Sequence, residues 1–186
     1  MSDYIQQEIL KALKSVDRPG MEDVVEFLIT RNFFKCPAST KFHGNYEGGL
    51  AEHSLNVCKN FTELLEATNL LEEVPADTII ISTILHDICK VGAYIPNNNG
   101  GFKWNREHPK GHGTLSVKRL MSLIELTPLE RDLINFHMGP WNTFQMIGTD
   151  KGDYTVMDLK EAWNRNLATR FLYFADEIAT VTEPVK

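Results

Sequence analysis

The chain has 186 residues, 42% hydrophobic and 24% charged, an ordinary composition for a globular domain large enough to bury one core. Its formal net charge of −6 argues against a general nucleic-acid binder, whose affinity comes from neutralising phosphates. No apolar run approaches the ~20 residues needed to cross a bilayer, and three cysteines without CxxC spacing argue against a disulfide framework.

The N-terminal "MSDYIQQEILKALKS" carries polar and acidic residues where a secretory signal has a positive region and an apolar block, so a cytoplasmic protein is expected. Residues 4–16 place Ile5, Ile9, Leu10, Leu13 and Val16 at helical spacing. Residues 20–30 read as a second helix. Residues 32–49, with Pro37 and three glycines, read as irregular chain. A third helix spans 50–67, with Leu50, Val57, Phe61, Leu64 and Leu65 apolar. Pro75 suits a first helical turn, and 76–90 follows as the most buried helix. Periodicity also permits a strand for its "TIIISTIL" run; length and the lack of nearby strand partners decide for helix.

Tyr94-Ile95 and 102–104 flank an Asn/Gly turn, which suits a small β-hairpin within 93–104. Residues 114–125 read as helix. Thr127, Pro128 and Glu130 form a capping-box pattern that starts a helix running to about His137. A short helix is expected at 159–164 and a last one at 167–182, with Leu167, Phe171, Phe174, Ala175 and Ile178 as its apolar face. The expected fold class is all-α, with room for one hairpin.

The chemistry concentrates in "TILHDICK". His86 and Asp87 stand where packing favours another aliphatic residue, and a buried carboxylate is costly unless paired or metal-bound. An ion pair with Lys90, three residues on, accounts for Asp87 but not for His86. Further candidates lie on other helices: His53 in "GGLAEHSLNV" and Asp176 in "YFADEIA", the latter inside an apolar stretch. Two buried carboxylates on different helices call for shared positive charge. Imidazole plus carboxylate suits a divalent ion such as Mn, Fe, Ni, Co or Zn. The cysteines show no ligand-like pairing, which argues against a structural zinc site.

His53, His86-Asp87 and Asp176, in that order, resemble the H…HD…D pattern of the HD superfamily of metal-dependent phosphohydrolases. The resemblance runs from about residue 33 to 182. "CPASTKFHGNYEGGLAEHSLNV" is similar to a stretch of the HD module of a bacterial 3′→5′ exoribonuclease family, with Phe42-His43 where that family has a His pair. "LHDICK", "GHG" and "FHMG" look like small stand-alone bacterial and phage HD hydrolases. The resemblance implies one HD domain over 1–186, a helical bundle with the N-terminal helices packed on it. It implies His53, His86, Asp87 and Asp176 as ligands of one divalent metal. His112 and His137 stand in the order that holds a second ion in some subgroups, with Asp87 bridging; Mg is a further candidate metal. His108 is set aside, because Pro109 pushes it towards extended backbone.

The implied reaction is hydrolysis of a phosphate mono- or diester, with a metal-activated water attacking phosphorus in line. Asp87 and Lys90 are the candidate catalytic residues. His43, Lys90 and Arg106 are the candidate substrate contacts, and Lys103 and Lys110 share Arg106's loop. The expected substrate is a small phosphorylated molecule, a nucleotide; RNA is the alternative if the chain acts like the exoribonucleases. Trp104, Tyr94 and Trp141 stand near the motifs and could stack on a base, although core packing is the default for large aromatics. A regulatory module that binds metal or nucleotide without turnover, and a plain helical bundle with incidental histidines, are the competing classes.

Overall fold

The computed structural model describes residues 2–148 and 151–185. Its helices are α1 (Ser2–Lys14), α2 (Met21–Thr30), α3 (Gly49–Ala67), α4 (Ala76–Leu85), α5 (Gly113–Leu120), α6 (Pro128–Phe136), α7 (Phe144–Ile147), α8 (Val156–Arg165) and α9 (Leu167–Thr182). Between α4 and α5, β1 (Tyr94–Pro96) and β2 (Phe102–Trp104) pair antiparallel, with Tyr94 opposite Trp104. The all-α class and the hairpin match the sequence. Among the described residues no helix is long and apolar enough to cross a membrane.

α3 packs against both α4 and α9, and α6 touches α4, α5 and α9. One core cluster joins Ile9 and Leu13 of α1 and Val24 and Leu28 of α2 to Leu50, Ile81, Ile84 and Leu120. The other joins Val57, Phe61 and Leu65 of α3 to Leu133 of α6 and Leu172 of α9.

Three expectations need correction. The helix expected over 76–90 stops at Leu85, and a tight 3₁₀ turn, Ile88–Lys90, follows. Burial continues through the break, so hydrophobicity gives no sign of it. Its local marker is His86, whose Nδ1–H donates to the Thr83 carbonyl at 2.7 Å and satisfies a backbone group near the helix end. The helix expected over 114–125 ends at Leu120. The expected apolar face of α9 is wrong in part, since Leu167, Phe174 and Ile178 are exposed. The buried stripe is Ala168, Leu172, Ala175 and Ala179, at helical spacing. Small alanines carry little hydrophobic signal but allow close helix packing.

Two glycines bring helix starts against neighbouring backbone. A Cβ at Gly49 would lie 2.1 Å from the Gly44 carbonyl oxygen, and one at Gly113 would lie 2.1 Å from that of Asn135. Only glycine permits both approaches. The first holds the irregular segment carrying His43 against the start of α3. The second seats α5 on α6, close to His112 and His137.

Candidate metal centre

The structure brings His53, His86, Asp87, His112, His137 and Asp176 together from five helices and their ends. His53 lies in the second turn of α3, His86-Asp87 directly follows α4, His112 precedes α5, His137 follows α6 and Asp176 is on α9. All but His112 are buried.

Asp87 sits between two pairs of imidazoles. Its Oδ2 faces His86 Nε2 at 3.4 Å and His53 Nε2 at 3.8 Å. Its Oδ1 faces His112 Nε2 at 3.3 Å and His137 Nε2 at 3.5 Å. Asp176 Oδ1 completes the first side, 3.0 Å from His53 Nε2.

The ring orientations have local causes. His86 and His137 each direct Nδ1 at the carbonyl three residues back, Thr83 and Ile134, both at 2.7 Å. A carbonyl only accepts, so Nδ1 carries the hydrogen and Nε2 presents its lone pair. His53 Nδ1 is 3.1 Å from Glu183 Oε2, which sets the same tautomer. The Nε2 atoms of His53, His86 and His137 and Oδ1 of Asp87 are buried and make no hydrogen bond. Burying polar atoms without a partner is costly. A cation satisfies them where they converge, and the nitrogen and oxygen donors suit a borderline or hard divalent ion. The donor set therefore fits the metal that the sequence pattern implies.

The HD domain family model matches residues 50–180, a stretch that spans all six residues. The chain belongs to the HD domain family. It is also 38% identical over 128 residues to the dihydroneopterin 2′,3′-cyclic phosphate phosphodiesterase of Methanocaldococcus jannaschii, covering 63% of this chain and 47% of that protein. The chain thus spans about half the length of that curated relative. No solved structure matches it.

The electrostatics of this HD domain follow from burial and charge. Burial disfavours a charged His53 ring, but the Asp176 and Glu183 carboxylates outweigh it and raise its pKa to about 9. These carboxylates call for positive charge at the ring, which a proton or a metal ion supplies. Burial opposes ionisation of Asp87 as well, yet Lys90, His112 and His86 hold its carboxyl well below the usual range. Burial lowers His112 to about 3, the neutral form a metal requires.

Lys90 forms the expected pair with Asp87, Nζ to Oδ2 at 2.6 Å, and is itself buried. The His43 ring centroid lies 4.8 Å from that of His53, and both His43 nitrogens are buried without a hydrogen bond. Arg106 is exposed and does not line the cavity beside the centre, whereas Lys110 and Lys151 do. That cavity, about 360 Å³, is lined by Cys89, Lys90 and His112, which border the centre, and by Tyr94, Trp104 and His108.

Sequence reasoning missed three supporting residues. Cys89 Sγ lies 2.9 Å from His112 Nδ1, so this cysteine does have a partner. Burial and Asp87 push its thiol up to about 12, which keeps it protonated and makes it a support for the ring. Asp153 Oδ2 accepts from the His112 and Thr114 backbone amides at 2.9 and 3.0 Å and fixes the turn into α5. Glu183 holds His53 and accepts from Asn56 Nδ2 at 2.9 Å. One signal for Glu183 was available: it follows Asp176 by seven residues, about two helical turns, directly after the end of α9.

Partners that orient metal-ligating histidines typically contribute ~10–100-fold to metal affinity. Glu183→Ala is therefore expected to weaken Mn(II) binding by about that factor, and Glu183→Gln by less, since its amide oxygen still accepts from Nδ1. Calorimetric titration measures both; unchanged affinity in Glu183→Ala would remove Glu183 from the centre.

Proposed function

We propose that this HD domain is a metal-dependent phosphohydrolase that cleaves a phosphate ester of a nucleotide or nucleotide-like molecule, with a 2′,3′-cyclic phosphate as the first substrate to try. The observation that carries the reading is the placement of Asp87. Its two oxygens are shared between His53/His86 and His112/His137, and its contacts Lys90 and His112 line a cavity of small-molecule size. His53, His86, Asp87 and Asp176 would hold one ion, and Asp87, His112 and His137 a second. When bound, such ions supply Lewis-acid polarisation of phosphoryl oxygens and a lowered pKa for water.

The chain's own groups do the rest. Asp87 keeps its charge and ties the two sides of the centre together. Lys90 lines the cavity, and its ammonium, held charged chiefly by Asp87 against the cost of burial, offsets phosphate charge. Lys110 and Lys151 add positive charge to the same cavity. His43, lowered by burial to about 4, stays neutral and offers a hydrogen bond beside His53. In the reaction a water oxygen bonds to phosphorus, one P–O ester bond breaks, and the departing sugar oxygen takes up a proton.

The cavity lies near the low end of the ~300–1,000 Å³ range of small-ligand pockets, which favours a single nucleotide over an RNA strand. The name of the archaeal relative points the same way, to a cyclic phosphate on a small heterocyclic molecule.

The test is product release from 2′,3′-cyclic nucleotides, nucleoside monophosphates and short RNAs with Mn, Ni, Co, Fe(II), Mg or Zn added. Turnover that a chelator removes and the metal restores is expected. Bound metal without turnover of any of these would replace this reading with that of a regulatory module.

A further inference from the structure

We propose that the β1–β2 hairpin, with His108, is the wall that receives the heterocyclic base of a single-nucleotide substrate; this rests on the phosphohydrolase reading above. The hairpin pairs Tyr94 with Trp104 across its strands. Their rings meet edge to face, with centroids 5.8 Å apart at 72°, and Trp104 meets His108 in the same way at 5.5 Å and 77°. Each ring buttresses the next, so Trp104 is held in place although it is 45% exposed.

The three aromatic residues belong to none of the hydrophobic clusters among the described residues. Core packing, the usual reason for a large aromatic, does not account for them. They line one cavity with Lys90 and His112, both of which contact Asp87, at 2.6 and 3.3 Å. A molecule in that cavity therefore meets aromatic surface and, within the same lining, Lys90 and His112 of the proposed phosphate-cleaving centre.

Heterocyclic bases stack on such rings whatever their identity, because every base has a π-face. Specificity then comes from the polar groups near the base edge. Lys110, Asn142 and Lys151 are polar residues of the same lining, while His108 Nδ1 contacts the Pro109 carbonyl at 2.9 Å. The ligand class is thus a heterocyclic base on a sugar phosphate. The cavity takes one such unit, so neighbouring nucleotides of a strand would lie outside it.

Calorimetric titration of the Mn(II)-loaded protein with guanosine 3′-monophosphate and with ribose 5-phosphate separates base from phosphate binding. The wild type is expected to prefer the base-bearing ligand by about ten-fold or more, as stacking on an aromatic residue provides. Trp104→Ala is expected to bring the two affinities close together, and Trp104→Phe to keep part of the preference. Equal or absent binding of the two ligands by the wild type overturns the proposal. So does a preference that survives in a folded Trp104→Ala protein, or affinity that climbs with each nucleotide added to a short RNA. The parent reading fails separately: a protein that binds with this preference yet hydrolyses no phosphate ester keeps its base wall and loses its enzyme assignment.

Discussion

Asp87→Asn is expected to abolish tight divalent-metal binding and to lower phosphate-ester turnover by more than the ~10–100-fold that losing an outer supporting group costs. Asp87 is the one group that faces all four imidazoles of the centre. Its two oxygens serve different pairs, so no other ligand in the set can replace it. The choice of substituent matters. Alanine would leave the buried Lys90 ammonium without its partner at 2.6 Å, and stranding a charge in this way costs about 3–5 kcal/mol. Asparagine keeps the shape and one oxygen, so the fold is better preserved while the charge goes. Metal content of the purified variant and its turnover beside the wild type are the two readings to take. Full metal occupancy in Asp87→Asn would place the ion elsewhere and sink the assignment.

Glu130→Ala is expected to be the most destabilising change away from the centre, by about 3 kcal/mol, the lower end of the range for breaking a buried ion pair, because Arg18 keeps some solvent. The Glu130 carboxylate is fully buried and receives both Arg18 guanidinium nitrogens, Nη1 at 2.7 Å and Nη2 at 2.9 Å. It also accepts from the Thr78 hydroxyl at 3.1 Å and from the Thr127 amide at 2.8 Å, the second arm of the capping box of α6. One side chain thus ties the α1–α2 turn to α4 and α6. Burial pushes its pKa up, but Arg18 and the Thr127 amide outweigh burial and leave it below the usual glutamate range. With the folded pKa depressed, the stabilisation is complete above the unfolded value and disappears as pH falls through the folded one. Urea unfolding of wild type and Glu130→Gln should therefore differ most at neutral pH and converge in acid. A stability gap that stays constant into acid would mean that the charge is irrelevant and only shape counts.

Most of the centre was legible in the sequence because costly residues stood in apolar surroundings. His86, Asp87 and Asp176 interrupt runs that packing alone would have filled with aliphatic side chains. The helices were legible for a related reason, since α1, α3 and α9 carry apolar residues at helical spacing. What stayed hidden depended on groups without an apolar signature. The end of α4 at Leu85 lies within continuous burial and coincides with a side-chain-to-carbonyl bond. The packed face of α9 is largely alanine, so the bulkier Phe174 and Ile178 drew the wrong stripe. Cys89 reaches His112 only through the 3₁₀ turn that follows the break. Which loop cations face the cavity, Lys110 and Lys151 and not Arg106, depends on the course of the loop in space, which charge patterns do not encode.

His86 and His137 each bond to a carbonyl of their own preceding turn, so the aim of each ring is written within four consecutive residues. The hairpin between Lys90 and His112 takes no part in aiming either ring. Its length and sequence can therefore change without retuning either imidazole. Grafting a foreign hairpin onto this scaffold should alter which molecules are admitted and leave the inherited chemistry in place. New specificities would then arise by rewriting one surface loop, a short evolutionary path from one substrate to the next.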